Sequence, residues 1–112
     1  MLLAKTRSRP RARKPGADRL IDKAHTARLH GLPSIVSGQT ADIVAHHLRT
    51  SRSSACGGRK SGDDEAVPIT HAEHVELHHH PGGEDAWWAS KGIDPHPIAA
   101  RLYLETHGGE MP

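Results

Sequence analysis

Phenylalanine is absent from the 112 residues, and only two Trp and one Tyr stand in for it. A chain this short with so few aromatics builds a thin core, and small domains bury a modest share of their surface in any case. One small domain is therefore expected rather than two, helped by a bound metal or by self-association. Cysteine is nearly absent as well. Cys56 has no second cysteine to pair with, so a disulfide-stapled scaffold is excluded and a cytoplasmic setting, in a bacterial or phage-encoded protein, is the expectation. No apolar run approaches the roughly 18 residues of a membrane helix, so no membrane partner is expected. Met1-Leu2-Leu3-Ala4 is too short for the apolar segment of a signal peptide, and basic residues follow at once.

Acidic residues are missing from positions 1–17, which carry Lys5, Arg7, Arg9, Arg11, Arg13 and Lys14. Pro10, Pro15 and Gly16 discourage a helix there, so the segment reads as a disordered basic arm. A solvated tail is the simple reading; attraction to nucleic-acid phosphates is the functional one. Basicity is local, because beyond the arm nine basic residues face thirteen acidic ones, a net of −4. The abundant residue is histidine, eleven in all, which is both the commonest metal ligand and a common general base.

The remaining pattern predicts an α+β domain over 18–108 with a short tail at 109–112. Asp18 to His30 fits a helix with Leu20, Ile21, Ala24 and Leu29 on one face, stopped by Gly31-Leu32-Pro33. Ser34 to Gly38 reads as a short strand and turn, and Ile43 to Leu48 as a second strand. Thr50 to Gly62 is rich in Ser, Gly and Arg and marks a loop. Ala66 to Ile69 is a short strand, with Pro68 placing it at an edge. Thr70 with Glu73 makes a capping box for a helix to about His80. Glu84 to Lys91 and Asp94 to His107 are two further helices, closed by Gly92 and Gly108.

Within this order four histidines stand out. His74 and His78 are spaced i,i+4, so both reach one side of a helix and one ion. His46 and His47 are adjacent on a strand and point to opposite faces. One can complete the metal site while the other faces a substrate. A one-metal phosphodiesterase needs that division: a cation as Lewis acid on the phosphate, and a separate base to take a proton from water.

From Ala45 to Gly108 the sequence resembles the small HNH (ββα-metal) endonucleases of phages and prophages, among them the recombination-enhancement nuclease. Ala45-His46-His47-Leu48-Arg49, Lys60 with Asp63, Val67-Pro68-Ile69 and His74-Val75-Glu76-Leu77-His78 carry the likeness. Ala86-Trp87-Trp88-Ala89 and Gly92-Ile93-Asp94-Pro95 extend it. Upstream, Asp22-Lys23-Ala24-His25 and Leu29-His30-Gly31-Leu32-Pro33 resemble the helix and turn before the site. The resemblance implies a ββα finger over about 41–80, His46 as metal ligand with His74 and His78, and His47 as general base. It implies that Asp63 orients that base. One divalent ion is implied, and three His ligands suit Zn²⁺, Ni²⁺ or Mn²⁺ better than Mg²⁺. DNA is the implied partner, cut with little sequence preference, in phage recombination or DNA processing.

Relatives often carry a zinc knuckle whose positions here are Ser34, Ser37, Thr70 and Glu73, none a good zinc ligand. The hairpin must then be held by packing or by dimerisation, which leaves a homodimer open. Arg49 and Lys60, with Arg52 and Arg59, border the loop as phosphate contacts or as solvated cations. His71 fits a phosphate or structural role, His79 and His80 an exposed helix end, and His25 and His30 packing or surface. Core packing is the expectation for at least one Trp, and Cys56 reads as a loop thiol. Two other functions compete: a non-catalytic, metal-stabilised DNA-binding module, and a His-rich metal buffer.

Overall fold

The computed structural model describes residues 20–52 and 61–108. The basic arm with Arg7, Arg9, Arg11 and Arg13, the loop residues Cys56, Arg59 and Lys60, and the 109–112 tail lie outside them. Among the described residues the chain is α+β: α1 (Lys23–His30), β1 (Ile43–His47), a 3₁₀ turn (Asp63–Glu65), β2 (Ala66–Thr70), α2 (His71–His78), α3 (Gly83–Lys91) and α4 (Pro95–Thr106). No helix among them is long and apolar enough to cross a membrane.

α1 starts later than the expected Asp18. Asp22 is its cap, accepting the His25 N–H at 3.0 Å. Residues 20–22 cannot join the helix because their backbone is committed elsewhere. The Leu20 carbonyl accepts the Asp63 N–H at 2.9 Å, and the Asp22 N–H donates to Asp63 Oδ2 at 2.6 Å. Of the short strand and turn expected at 34–38, only the turn is present. Ser34 Oγ accepts the N–H groups of Val36 and Ser37, a local pairing that competes with a ladder.

β1 and β2 form a two-stranded antiparallel ribbon with Ala45 opposite Pro68 and His46 opposite Val67. Both strands of a ribbon are edges, which accommodates Pro68. All five residues of β2 are buried, because α1 and α4 cover it as well as α2. β2 runs directly into α2 through the expected capping box: Thr70 Oγ1 accepts the Glu73 N–H, and Glu73 Oε1 accepts the Thr70 N–H. α2 stops at His78 rather than His80, since Pro81 disfavours helical geometry at the residue before it.

Ser34 donates to Glu73 Oε1 at 2.6 Å, tying the turn to the start of α2. The positions matched to the zinc knuckle thus meet in space and are joined by hydrogen bonds. Burial pushes the Glu73 carboxyl up, but donors from Ser34, Ser37 and Thr70 outweigh it and hold the group below its usual value.

The core gathers Leu48, Val67, Ile69, Leu77, Trp87, Trp88 and Ala99, with a second cluster of Leu29, Ala66 and Leu102. Both Trp rings are buried, as the core-packing expectation required of at least one. Asp94 caps α4, with Pro95 in its first turn.

Candidate functional site

Alternation along β1 sends the two adjacent imidazoles in different directions, as expected. The His46 ring is 2% exposed and stands against His74 and His78, with ring centroids 5.1 and 6.1 Å away. The His47 ring is 32% exposed and turns to Asp63. α2 leaves β2 without a loop at the Ile43–Thr70 end of the ribbon and runs back across it, which brings its i,i+4 pair against His46.

One nitrogen from each of His46, His74 and His78 falls within 4.8 Å of the others, and the group could hold a metal ion. His74 Nε2 and His78 Nε2 are 3.1 Å apart. Two nitrogens each about 2.05 Å from a tetrahedral ion would stand about 3.1–3.4 Å apart, so this spacing matches shared ligation. Without an ion the same distance is a ring–ring hydrogen bond. Burial, then the neighbouring His46, His78 and His71, hold the His74 pKa below its usual value. A ring kept neutral is in the form a metal requires. The donor set therefore fits a divalent cation with open coordination positions.

Behind the trio lies a residue that the sequence reading passed over. Glu84, in the first turn of α3, accepts from His46 Nε2 at 2.8 Å and from Trp88 Nε1 at 2.9 Å, both on Oε2. Its Oε1 accepts the Arg49 N–H at 3.1 Å. Burial raises this carboxyl, yet the His46 hydrogen bond and charge, with the Trp88 and Arg49 donors, bring it below its ordinary value. The available signal was weak: a carboxylate one turn before a Trp, just after Pro81-Gly82-Gly83.

Asp63 is held from two sides. Its Oδ1 pairs with His47 Nε2 at 2.7 Å, and its Oδ2 accepts the Asp22 N–H at 2.6 Å. The start of α1 thus fixes the carboxylate that fixes His47. Gly62 permits this approach, because a Cβ there would lie 2.9 Å from the Leu20 backbone nitrogen.

These groups line a cleft of about 520 Å³ bounded by Ala45, His46, His47, Arg49, Ser61, His74 and His78. Arg49 is exposed at its rim, as a phosphate contact would need. His71 is exposed at the start of α2, and His79 donates to or accepts from nothing in the cleft, its Nδ1 lying 2.9 Å from the Val75 carbonyl. His25 is fully buried against Thr106 and Tyr103 and does not line the cleft, so its role is packing. No family model, curated protein or solved structure matches the chain.

Proposed function

We propose that this protein is a metal-dependent DNA endonuclease of the HNH type, with a ββα finger formed by β1, β2 and α2. The observation that carries the proposal is the separation of His47 from the other three imidazoles. It is half-exposed on the same cleft and bound through Nε2 to Asp63 at 2.7 Å. A purely structural metal site has no use for a fourth imidazole held by its own carboxylate. The meeting of Ser34, Ser37, Thr70 and Glu73 in one hydrogen-bonded group also accords with the resemblance.

In this reading His46, His74 and His78 hold one divalent ion, with Zn²⁺, Ni²⁺ or Mn²⁺ favoured over Mg²⁺ by the nitrogen donors. When bound, the ion supplies Lewis-acid stabilisation of charge on the phosphate and leaving oxygen. Asp63 accepts Nε2–H and leaves the Nδ1 lone pair of His47 as the base. Nδ1 takes a proton from water as its oxygen bonds to phosphorus, and the opposite P–O bond breaks. Arg49, with Lys60 and the basic arm, would neutralise backbone phosphates, which favours DNA and confers little sequence preference.

The test is nicking of supercoiled plasmid with Mg²⁺, Mn²⁺, Ni²⁺ or Zn²⁺, comparing wild type with His47→Ala. Loss of a general base lowers the rate by about 10²–10⁴-fold while metal binding is retained. Retained cleavage removes His47 as the base. No cleavage by the wild type with any metal, together with metal-dependent DNA binding, would instead support the binding-module reading.

A further inference from the structure

We propose that Glu84 is a positioning residue of the metal centre, fixing His46 so that its Nδ1, not its Nε2, is the ligand nitrogen. This rests on the metal-centre reading above and adds to it a residue, a tautomer and a ligating atom.

The hydrogen-bond inventory carries the inference. The Trp88 indole N–H is only a donor, so Oε2 of Glu84 is an acceptor. The Arg49 backbone N–H is likewise only a donor, so Oε1 is an acceptor too. With the Trp88 and Arg49 donors both aimed at it, the carboxyl is held as the carboxylate, and the 2.8 Å contact to His46 then takes its hydrogen from Nε2. A neutral His46 with Nε2–H has its lone pair on Nδ1. The His46 ring already stands against those of His74 and His78.

The geometry also answers an electrostatic question. Glu84 and His46 side chains are 7% and 2% exposed, and a carboxylate so buried needs compensating charge. A cation beyond the far nitrogen of His46 provides it, and a carboxylate behind a ligating imidazole raises the basicity of that ligand. Two features aim Glu84 there. Gly82 and Gly83 take φ of 90° and 88°, values that strain other residues, and so turn the chain sharply between α2 and α3. The first turn of α3 then carries the acid where the helix dipole favours it.

Glutamine cannot replace Glu84. Its single oxygen can serve the His46–Trp88 side or the Arg49 side, and its NH₂ then opposes a donor on the other. The experiment is Zn²⁺ titration of the full chain against a chelating dye, for wild type and Glu84→Gln, with circular dichroism to confirm that each is folded. One ion per chain with about 10–100-fold weaker affinity in Glu84→Gln is expected. Affinity within threefold of wild type overturns the proposal. A wild type that binds no Zn²⁺ overturns the metal-centre reading itself, a different outcome. A second measurement needs no variant: long-range ¹H–¹⁵N spectra of the wild type with and without Zn²⁺. Nε2 of His46 should keep its proton while Nδ1 responds to the ion. Zn²⁺ displacing the proton from Nε2 overturns the assignment.

Discussion

Replacing Asp63 by Asn probes the proposed base through its tautomer. The carboxylate accepts on both sides, from the Asp22 N–H at 2.6 Å and from His47 Nε2 at 2.7 Å. An amide has one acceptor. Turning its NH₂ toward the Asp22 N–H leaves a buried donor unpaired, at about 1–3 kcal/mol. The favoured orientation therefore keeps the oxygen on Asp22 and points NH₂ at His47. Nε2 must then accept, the ring proton moves to Nδ1, and the lone pair that takes the water's proton is gone. The expected loss is that of the whole general base, about 10²–10⁴-fold. That corresponds to about 2.7–5.4 kcal/mol of barrier. Asp63→Ala imposes no tautomer and should lose less than Asp63→Asn, an order opposite to that expected from conservatism of the substitution. The assay is single-turnover nicking at saturating metal, with the tautomer of residue 47 read by ¹H–¹⁵N correlation. Asp63→Asn cleaving within threefold of wild type, or keeping Nε2–H, would refute the reasoning.

Metal should stabilise the fold as well as activate it. At about 100 times its Kd, Zn²⁺ adds about 2.7 kcal/mol. For a domain of this size that raises Tm by about 10–20 °C, which chelator should reverse and His78→Ala should abolish. Gly62→Ala places a Cβ 2.6 Å from Asp64 Oδ1 and 2.9 Å from the Leu20 backbone nitrogen. The side chain can swing away but the backbone cannot, so a loss of about 1–3 kcal/mol in urea denaturation is expected. His25 gives the metal-free chain an acid-sensitive spot: burial, the largest influence, lowers its pKa from 6.5. As pH falls below that value the unfolded chain takes up the proton before the folded one, so stability falls with pH. The slope approaches about 1.4 kcal/mol per pH unit until the folded-state pKa is reached. Urea midpoints at successive pH values should show this slope in wild type and its reduction in His25→Gln.

What was legible in the sequence was whatever is set by near neighbours. The Thr70–Glu73 capping box, the Asp94-Pro95 start and the His74–His78 pair each depend on spacings of one helical turn, and each is found. The opposite directions of His46 and His47 follow from strand alternation alone. The misses are long-range. α1 begins at Lys23 because Asp63, 41 residues from Asp22 in sequence, claims the backbone before it. The 34–38 segment turns because Ser34 finds its own backbone and Glu73. Glu84 was invisible as a site residue because its partner His46 is 38 residues away.

The distinction between ligand and base is therefore a matter of strand phase, since a slip by one residue exchanges the faces of a strand. Two devices hold the phase. The Pro68 carbonyl accepts the Ile35 N–H, on the side away from β1. The nitrogen of Pro68 then points away too, where its missing hydrogen costs no ladder bond; turning β2 over would bring that nitrogen into the ladder. In β1 the phase is set just past the strand, where the Leu48 N–H donates to the Glu65 carbonyl at 2.8 Å and the side chain is fully buried. A slip would put the imidazole of His47 or the guanidinium of Arg49 into that apolar site, where neither has a partner in the surrounding core. One apolar position and a proline, neither of them in the cleft, thus decide which imidazole joins His74 and His78 and which is left to face Asp63.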